Sequence, residues 1–117
     1  MQQTGVAAEG KALAYLKEQG LLLIARNYRC RWGEIDLIMQ DKEYWVMVEV
    51  RARTGFGFGG GLASITAAKK NKIIKTASHF LAAEAKRNQK AVRFDVISID
   101  GPAGALLWVR DAFRVGD

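Results

Sequence analysis

Hydrophobic residues recur along the chain with two periods, one typical of helices and one typical of strands. The helical period covers residues 5–20 and 64–87, and the strand period covers residues 21–28, 34–39, 44–53 and 92–99. A short edge strand is expected at residues 106–109, followed by a helical turn through Phe113. The order α-β-β-β-α-β, with short turns between the first three strands, predicts one α/β domain over residues 1–117, in which helices flank a mixed central sheet.

The third predicted strand becomes charged towards its end. Successive side chains of a strand point to opposite faces. One face is apolar and is expected to meet the core: Tyr44, Val46, Val48 and Val50. The other face ends in charge: Trp45, Met47, Glu49, Arg51 and Arg53.

On the second predicted strand, the same alternation separates an acidic face from an apolar one. The acidic face holds Glu34, Asp36 and Ile38, and the apolar face holds Ile35, Leu37 and Met39. If the second and third strands pair, Asp36 and Glu49 can project from the same side of the sheet. A third carboxylate, Glu9, lies on the apolar stripe of the first helix, three residues after Val6.

Neighbouring carboxylates repel each other unless a cation lies between them. Mg²⁺ and Mn²⁺ take oxygen ligands, and such a site can activate water for phosphodiester hydrolysis. Asp36 and Glu49, with Glu9 as a further ligand, are therefore candidate metal ligands. The alternative is a structural ion pair between Glu49 and a neighbouring arginine or lysine, and the spacing favours neither. Asp95 is expected to form an ion pair.

The composition adds an excess of positive charge, with 18 Lys and Arg against 12 Asp and Glu, giving a net charge of +6. This balance favours a nucleic-acid partner. The candidate phosphate contacts are Arg29, Arg31, Arg53, Lys69 and Lys72. The single histidine, His79, excludes a site that needs two histidines.

The single cysteine, Cys30, cannot form an internal disulfide, which favours a reducing compartment. No basic-then-apolar signal segment opens the chain, and its apolar runs are too short to span a bilayer. We therefore expect a cytoplasmic protein that has no membrane partner.

The glycine-rich segment at residues 54–61, TGFGFGGG, satisfies the GxGxxG pattern between a strand and a helix. The second, acid-ended strand of a dinucleotide-binding unit does not follow it. An adaptable loop beside the site is the preferred interpretation, in which Phe56 and Phe58 could stack on bases or serve as packing residues.

Five stretches resemble the YraN family of bacterial proteins: GxxxEGKALAYL, RNYRCRWGEIDLI, VEVRAR, ITAAKKNKIIKTASHFL and VRFDVI. That family looks like a branch of the restriction-endonuclease-like PD-(D/E)xK nucleases and is similar to archaeal Holliday-junction resolvases. The resemblance covers nearly the whole chain. It implies a restriction-endonuclease-like fold and Mg²⁺- or Mn²⁺-dependent cleavage of DNA, including branched DNA.

By this resemblance, Asp36 is the nuclease aspartate, Glu49 is the acid of the (D/E)xK element and Glu9 is the helical glutamate of the metal site. Arg51 takes the lysine position of that element. Arginine effectively cannot lose its proton, so it cannot act as a general base, although it can hold a phosphate. A displaced lysine is an alternative, and Lys69 could reach back to the sheet from the long helix.

Three functions remain open at this point. The first is a metal-dependent nuclease in which Asp36, Glu49 and Arg51 act at the scissile phosphate. The second is a nucleic-acid-binding protein that has the nuclease fold but little or no catalysis. The third is a protein-interaction scaffold. The hydrophobic edge at residues 106–108 could support a homodimer.

Overall fold

The computed structural model describes residues 3–53, 65–84 and 90–116, apart from the side chains of residues 3–5 and 53. Within these residues the chain forms two helices and five strands. In chain order they are α1 (Gln3–Glu18), β1 (Leu22–Cys30), β2 (Gly33–Asp41), β3 (Tyr44–Arg53), α2 (Ala67–Ala83), β4 (Ala91–Asp100) and β5 (Ala105–Phe113). The glycine-rich segment and its two phenylalanines lie outside the described residues.

The strands form one mixed sheet in the order β1-β2-β3-β4-β5. All neighbouring strands are antiparallel except β3 and β4, which run parallel from Tyr44↔Ala91 to Arg53↔Asp100. Because parallel neighbours cannot be joined by a tight turn, the chain passes through α2 between them. This is the predicted α/β class, and it is compatible with a restriction-endonuclease-like fold.

The two helices cover opposite faces of the sheet. The α1 cluster joins the buried face of α1 to Leu37, Met39, Val46 and Val48. The α2 cluster joins the buried face of α2 to the alternate strand residues, which include Trp45 and Met47. The sequence pattern placed the core on one face of β3 only, which is wrong, because Trp45 and Met47 are also buried.

Helix α2 begins with a hydroxyl cap. The side chain of Thr66 accepts a hydrogen bond from the backbone N–H of Lys69 at 3.1 Å, which satisfies one of the free donors of the first turn. The buried residues of α2 recur at helical spacing: Ile73, Thr76, Ala77 and Phe80. The cap therefore defines the turn that carries Lys69.

Helix α1 buries Ala8, Ala12, Leu13 and Leu16, whereas Val6 is 66% exposed. The predicted stripe that included Val6 is therefore wrong at its first position.

Strand β5 is longer than predicted, and the expected helical turn through Phe113 is wrong. Phe113 pairs with Phe94 in the ladder, and their rings stack with centroids 5.0 Å apart. The ladder shifts register between Phe94 and Val96, close to the left-handed Asp111. Burial of the Phe113 ring therefore extends the strand past this irregularity.

Asp95 lies at that irregularity and is fully buried. Its carboxylate accepts two hydrogen bonds from Arg93 at 2.9 and 3.0 Å, one from the Trp108 indole at 2.9 Å and one from the Asp111 N–H at 3.0 Å. The predicted ion pair is confirmed, and it stabilises the pairing of β4 with β5.

None of the helices in the described residues is long and apolar enough to span a membrane.

Candidate active site

The candidate site begins where the β2–β3 ladder ends. The paired register runs from Asp41↔Tyr44 to Leu37↔Val48. Asp36 precedes Leu37 on β2, and its Oδ2 accepts a hydrogen bond from the Val50 N–H of β3 at 2.8 Å. A side-chain oxygen thus takes the place of a ladder carbonyl, and the Asp36 carboxylate is fixed between the two strands.

The alternation of β2 breaks at the same point. Ile35 and Ile38 both belong to the α2 cluster, although an unbroken strand would place them on opposite faces. The prediction that Ile35 shares a face with Leu37 is therefore wrong. The break lies at Asp36, beyond the last regular pair with β3.

The carboxyl groups of Asp36 and Glu49 lie close enough to shift each other's pKa, and Glu49 in its protonated form can donate a hydrogen bond to Asp36. The Glu49 side chain is only 5% exposed. Burial, followed by the negative charge of Asp36, raises the pKa of Glu49 to about 7. Burial also raises the pKa of Asp36, although its hydrogen bond from Val50 acts in the opposite direction.

Two cations approach this pair from different elements. Nζ of Lys69 lies 3.5 Å from Oε2 of Glu49, and Nε of Arg51 lies 3.6 Å from the same oxygen. Both lower the pKa of Glu49, yet burial and Asp36 outweigh them. Nε of Arg51 is buried and makes no hydrogen bond with the described residues. The site therefore brings two acids and two cations together, and one buried donor lacks an acceptor among the described residues.

A cavity of about 540 Å³ opens beside Asp36. Its polar lining comprises Glu9, Asn27, Arg29, Glu34, Asp36 and Arg51. With its amide oriented so that its nitrogen faces acceptors, Asn27 donates to Glu9 at 3.2 Å and to Glu34 at 3.1 Å. Burial and the charge of Asp36 raise the pKa of Glu9. Glu9 thus lies within electrostatic reach of Asp36.

Asp36 and Glu49 offer two carboxylates as ligands for a divalent ion. No group of three acidic, histidine or cysteine side chains in residues 3–53, 65–84 and 90–116 is arranged to hold a metal ion. Mg²⁺ is commonly held by one or two carboxylates together with water and substrate phosphate, which suits Asp36 and Glu49. Glu9 lines the same cavity, and its role as a third ligand stays a prediction.

Each described residue among the predicted phosphate contacts lies beside a different neighbour. Arg29 is exposed and pairs with Glu34 at 3.1 Å, while Arg31 lies over the ring of Trp32. Lys72 lies against Gly33 at the start of β2, and Lys69 reaches Glu49. The side chain of the fifth, at position 53, lies outside the described part of the chain.

Sequence reasoning placed Glu34 on the same strand face as Asp36 but did not name it as a site residue, and it missed Asn27 altogether. No pattern marked Asn27, which adopts a left-handed conformation with φ 51° inside β1.

Comparison with known proteins places the chain among sequences of similar length. A model described as "Uncharacterised protein family UPF0102" matches residues 8–99. A UPF0102 protein of Legionella pneumophila strain Philadelphia 1 is 53% identical, with 98% of this chain and 98% of the relative covered. A UPF0102 protein of Psychromonas ingrahamii is 49% identical, with 94% and 88% covered. The family match includes α2 and the strands that carry Asp36 and Glu49.

Proposed function

The chain belongs to the UPF0102 (YraN) family, and we propose that it is a Mg²⁺- or Mn²⁺-dependent endonuclease that hydrolyses phosphodiester bonds in DNA, including branched DNA. The restriction-endonuclease-like superfamily is consistent with this membership. The observation that carries the proposal is the buried pair of carboxyl groups, Asp36 and Glu49, at the end of the β2–β3 ladder.

A structural ion pair explains this arrangement less well than a metal site does. In a satisfied ion pair, the cations keep the carboxylate ionised and hold its pKa low. Here Lys69 and Arg51 lie within 3.6 Å of Glu49, and its pKa is nevertheless raised to about 7. A divalent ion between Asp36 and Glu49 would replace the proton on Glu49 and place positive charge between the two carboxylates.

The ion, when bound, supplies Lewis-acid stabilisation of the phosphate and lowers the pKa of a water molecule. Asp36 and Glu49 would hold it, with Asp36 oriented by the Val50 N–H. The guanidinium group of Arg51, whose side chain is 28% exposed, would donate from its terminal nitrogens to a non-bridging oxygen of the scissile phosphate and stabilise the charge that develops there. In the reaction, water forms a bond to phosphorus and gives up a proton to solvent, the bond to the leaving oxygen breaks, and that oxygen takes up a proton from solvent.

Lys69 provides the lysine that position 51 lacks. Its side chain is 39% exposed, and its ammonium group lies 3.5 Å from Glu49. Unlike an arginine, a lysine can release its proton, and it can therefore take part in proton transfer as well as contact the phosphate.

The test is a cleavage assay on labelled branched and linear DNA with Mn²⁺, Mg²⁺ or EDTA. Asp36→Asn and Glu49→Gln should lower cleavage by at least 100-fold, about 3 kcal/mol of transition-state stabilisation. Glu43→Gln, an exposed acid in the β2–β3 turn, is the matched control and should cut normally. Cutting that survives in both site variants would refute the proposal.

A second function, DNA binding without cleavage, is favoured by one observation. Glu49 already has two cationic partners, and one of them, Arg51, stands in the lysine position. A binding protein would shift branched DNA in EDTA, would lose affinity steeply with salt, and would leave every substrate intact with Mn²⁺. Arg51→Lys separates the two functions, since a gain in cutting would show that this position limits an existing activity.

A further inference from the structure

The turn between β1 and β2 presents an aromatic ring to solvent. Trp32 is 41% exposed, whereas Trp45 is 6% exposed. Neither of the described hydrophobic clusters includes Trp32. Its neighbours are cations: the guanidinium carbon of Arg31 lies 4.7 Å from the ring centre, and Nζ of Lys75 lies 5.1 Å from it.

This turn is held firmly against α2. A Cβ atom at Gly33 would lie 3.2 Å from Oγ1 of Thr76 and 3.5 Å from Cβ of Lys72, so the backbone approaches the helix as closely as a glycine allows. The Trp32 N–H also donates to Sγ of Cys30 at 3.4 Å. The position of the ring relative to α2 is therefore defined by backbone packing.

A row of lysines joins the ring to the carboxylate pair. Lys69, Lys72 and Lys75 follow at intervals of three residues, so each is a surface neighbour of the next. Lys69 contacts Glu49, and Lys75 contacts Trp32. The axial rise of α2 from Lys69 to Lys75 is about 9 Å, which equals between two and three base steps of about 3.4 Å along the axis of duplex DNA.

We propose that Trp32 stacks on an unpaired base of DNA two or three nucleotides from the phosphate bound at the candidate site. The inference rests on the proposed function and specifies its substrate class as DNA with unpaired bases beside the cleavage point, such as a flap or a gap. The lysine row contacts the phosphates of the intervening nucleotides.

The energetics favour a base over the present cationic neighbours. A cation over an exposed ring strengthens an interaction by about 2- to 5-fold. A base stacked on an aromatic side chain strengthens binding by about 5- to 150-fold. An arriving base therefore displaces Arg31 or Lys75 from the ring, and the displaced cation is then available to a phosphate. In a continuous duplex every base is already stacked, so the ring gains a partner only where bases are unpaired.

The experiment measures DNA binding in EDTA, so that it requires no cleavage. Fluorescence anisotropy compares a duplex that has a short flap with a fully paired duplex of equal length. Trp32→Ala should weaken flap binding by at least 5-fold and duplex binding by less than 2-fold. Trp32→Phe should retain most of the flap preference. Lys75→Ala is the charge control and should weaken both DNAs equally, because phosphates are common to them.

A second measurement avoids any dependence on variant folding. A 2-aminopurine placed in the flap two or three nucleotides from the junction should lose fluorescence on binding the unaltered protein, and a paired 2-aminopurine should not. Equal losses at both positions, or equal weakening of both DNAs by Trp32→Ala, would overturn the inference. The binding results stand whether or not DNA is cut, so failure of the nuclease proposal would be seen separately in the Mn²⁺ cleavage assay.

Discussion

Replacing Glu49 with glutamine should stabilise the metal-free protein, and the effect should grow with pH. Folding raises the pKa of Glu49 from 4.5 to about 7, so the folded state binds this proton more tightly than the unfolded state. The contribution of Glu49 to stability is therefore largest below pH 4.5 and is lost as the pH rises through about 7. The full loss is about 3 kcal/mol, at about 1.4 kcal/mol for each tenfold change in proton affinity.

Glutamine does not titrate, so the difference in unfolding free energy between Glu49→Gln and the unaltered protein should change by about 3 kcal/mol between pH 4.5 and 8.5. The lost contacts with Lys69 and Arg51 add a constant to the difference in unfolding free energy between the two proteins. The test therefore compares how this difference changes with pH, not its absolute size. Urea unfolding in EDTA, followed by circular dichroism, should show midpoints that diverge by about 1–2 M. Glu43→Gln should run parallel to the unaltered protein.

The same experiment with Mn²⁺ tests the metal site. At pH 8 the ion should recover the lost stability of the unaltered protein, by about 2.7 kcal/mol at one hundred times its dissociation constant. At pH 5 a proton competes for Glu49, and the gain should shrink. A difference between the two proteins that stays flat with pH in EDTA, or an equal gain from Mn²⁺ in both, would refute this account of the pair.

Three further substitutions test the supports of the site by urea unfolding. Gly33→Ala should lower the free energy of unfolding by about 1–3 kcal/mol, because the φ of Gly33 is +153° and the new Cβ would lie 3.2 Å from Thr76. Gly10→Ala lies in open space within α1 and should instead raise the free energy of unfolding by about 0.5–1 kcal/mol. Equal effects of the two would contradict the close packing. Asp95→Asn should cost about 3 kcal/mol, because the buried Asp95 would no longer carry the charge that pairs with Arg93. A loss below about 1 kcal/mol would show that this ion pair contributes little to stability. Thr66→Ala should lower the free energy of unfolding by about 1 kcal/mol and reduce cleavage, whereas Thr66→Ser should keep the original stability and cleavage. Unchanged cleavage in Thr66→Ala would show that the helix cap does not influence the site.

The order of the helices and strands could be predicted because each element carries its own period. The end of the chain could not, since residues after Val109 show no strand alternation. Their conformation follows from the pairing of Phe113 with Phe94 and from the bonds of Asp95, which are contacts between residues far apart in sequence. A local pattern does not contain such information.

The burial of both faces of β3 could not be predicted from the sequence for a related reason. Alternation on β3 separates two sets of residues but does not say whether a helix covers one set or both. Trp45 and Met47 became core residues because α2 crosses over them between the parallel strands β3 and β4. The parallel pairing is a property of the assembled sheet, and a meander of antiparallel strands would have left that face open.

The pairing of Asp36 with Glu49 was anticipated from regular alternation, although the structure reaches it through an irregularity. In a continued ladder, backbone groups would satisfy each other, and the Asp36 side chain would be free to turn to solvent. Because its carboxylate takes the Val50 N–H instead, the acid is retained between the strands and next to Glu49. The end of the ladder is therefore part of the site.

The two cations beside Glu49 come from different elements, so their distances from the carboxylate depend on different parts of the fold. Arg51 follows Glu49 on the same strand, so its distance from that carboxylate is set by β3 alone. Lys69 comes from the first turn of α2, and its distance depends on how the helix packs on the sheet. The same helix carries Lys75 beside Trp32 and is contacted by Gly33 at the start of β2. A change in how α2 packs on the sheet would therefore move Lys69 at the carboxylates and Lys75 at the Trp32 ring together. In this way one helix links the proposed cleavage site to the proposed base-stacking site.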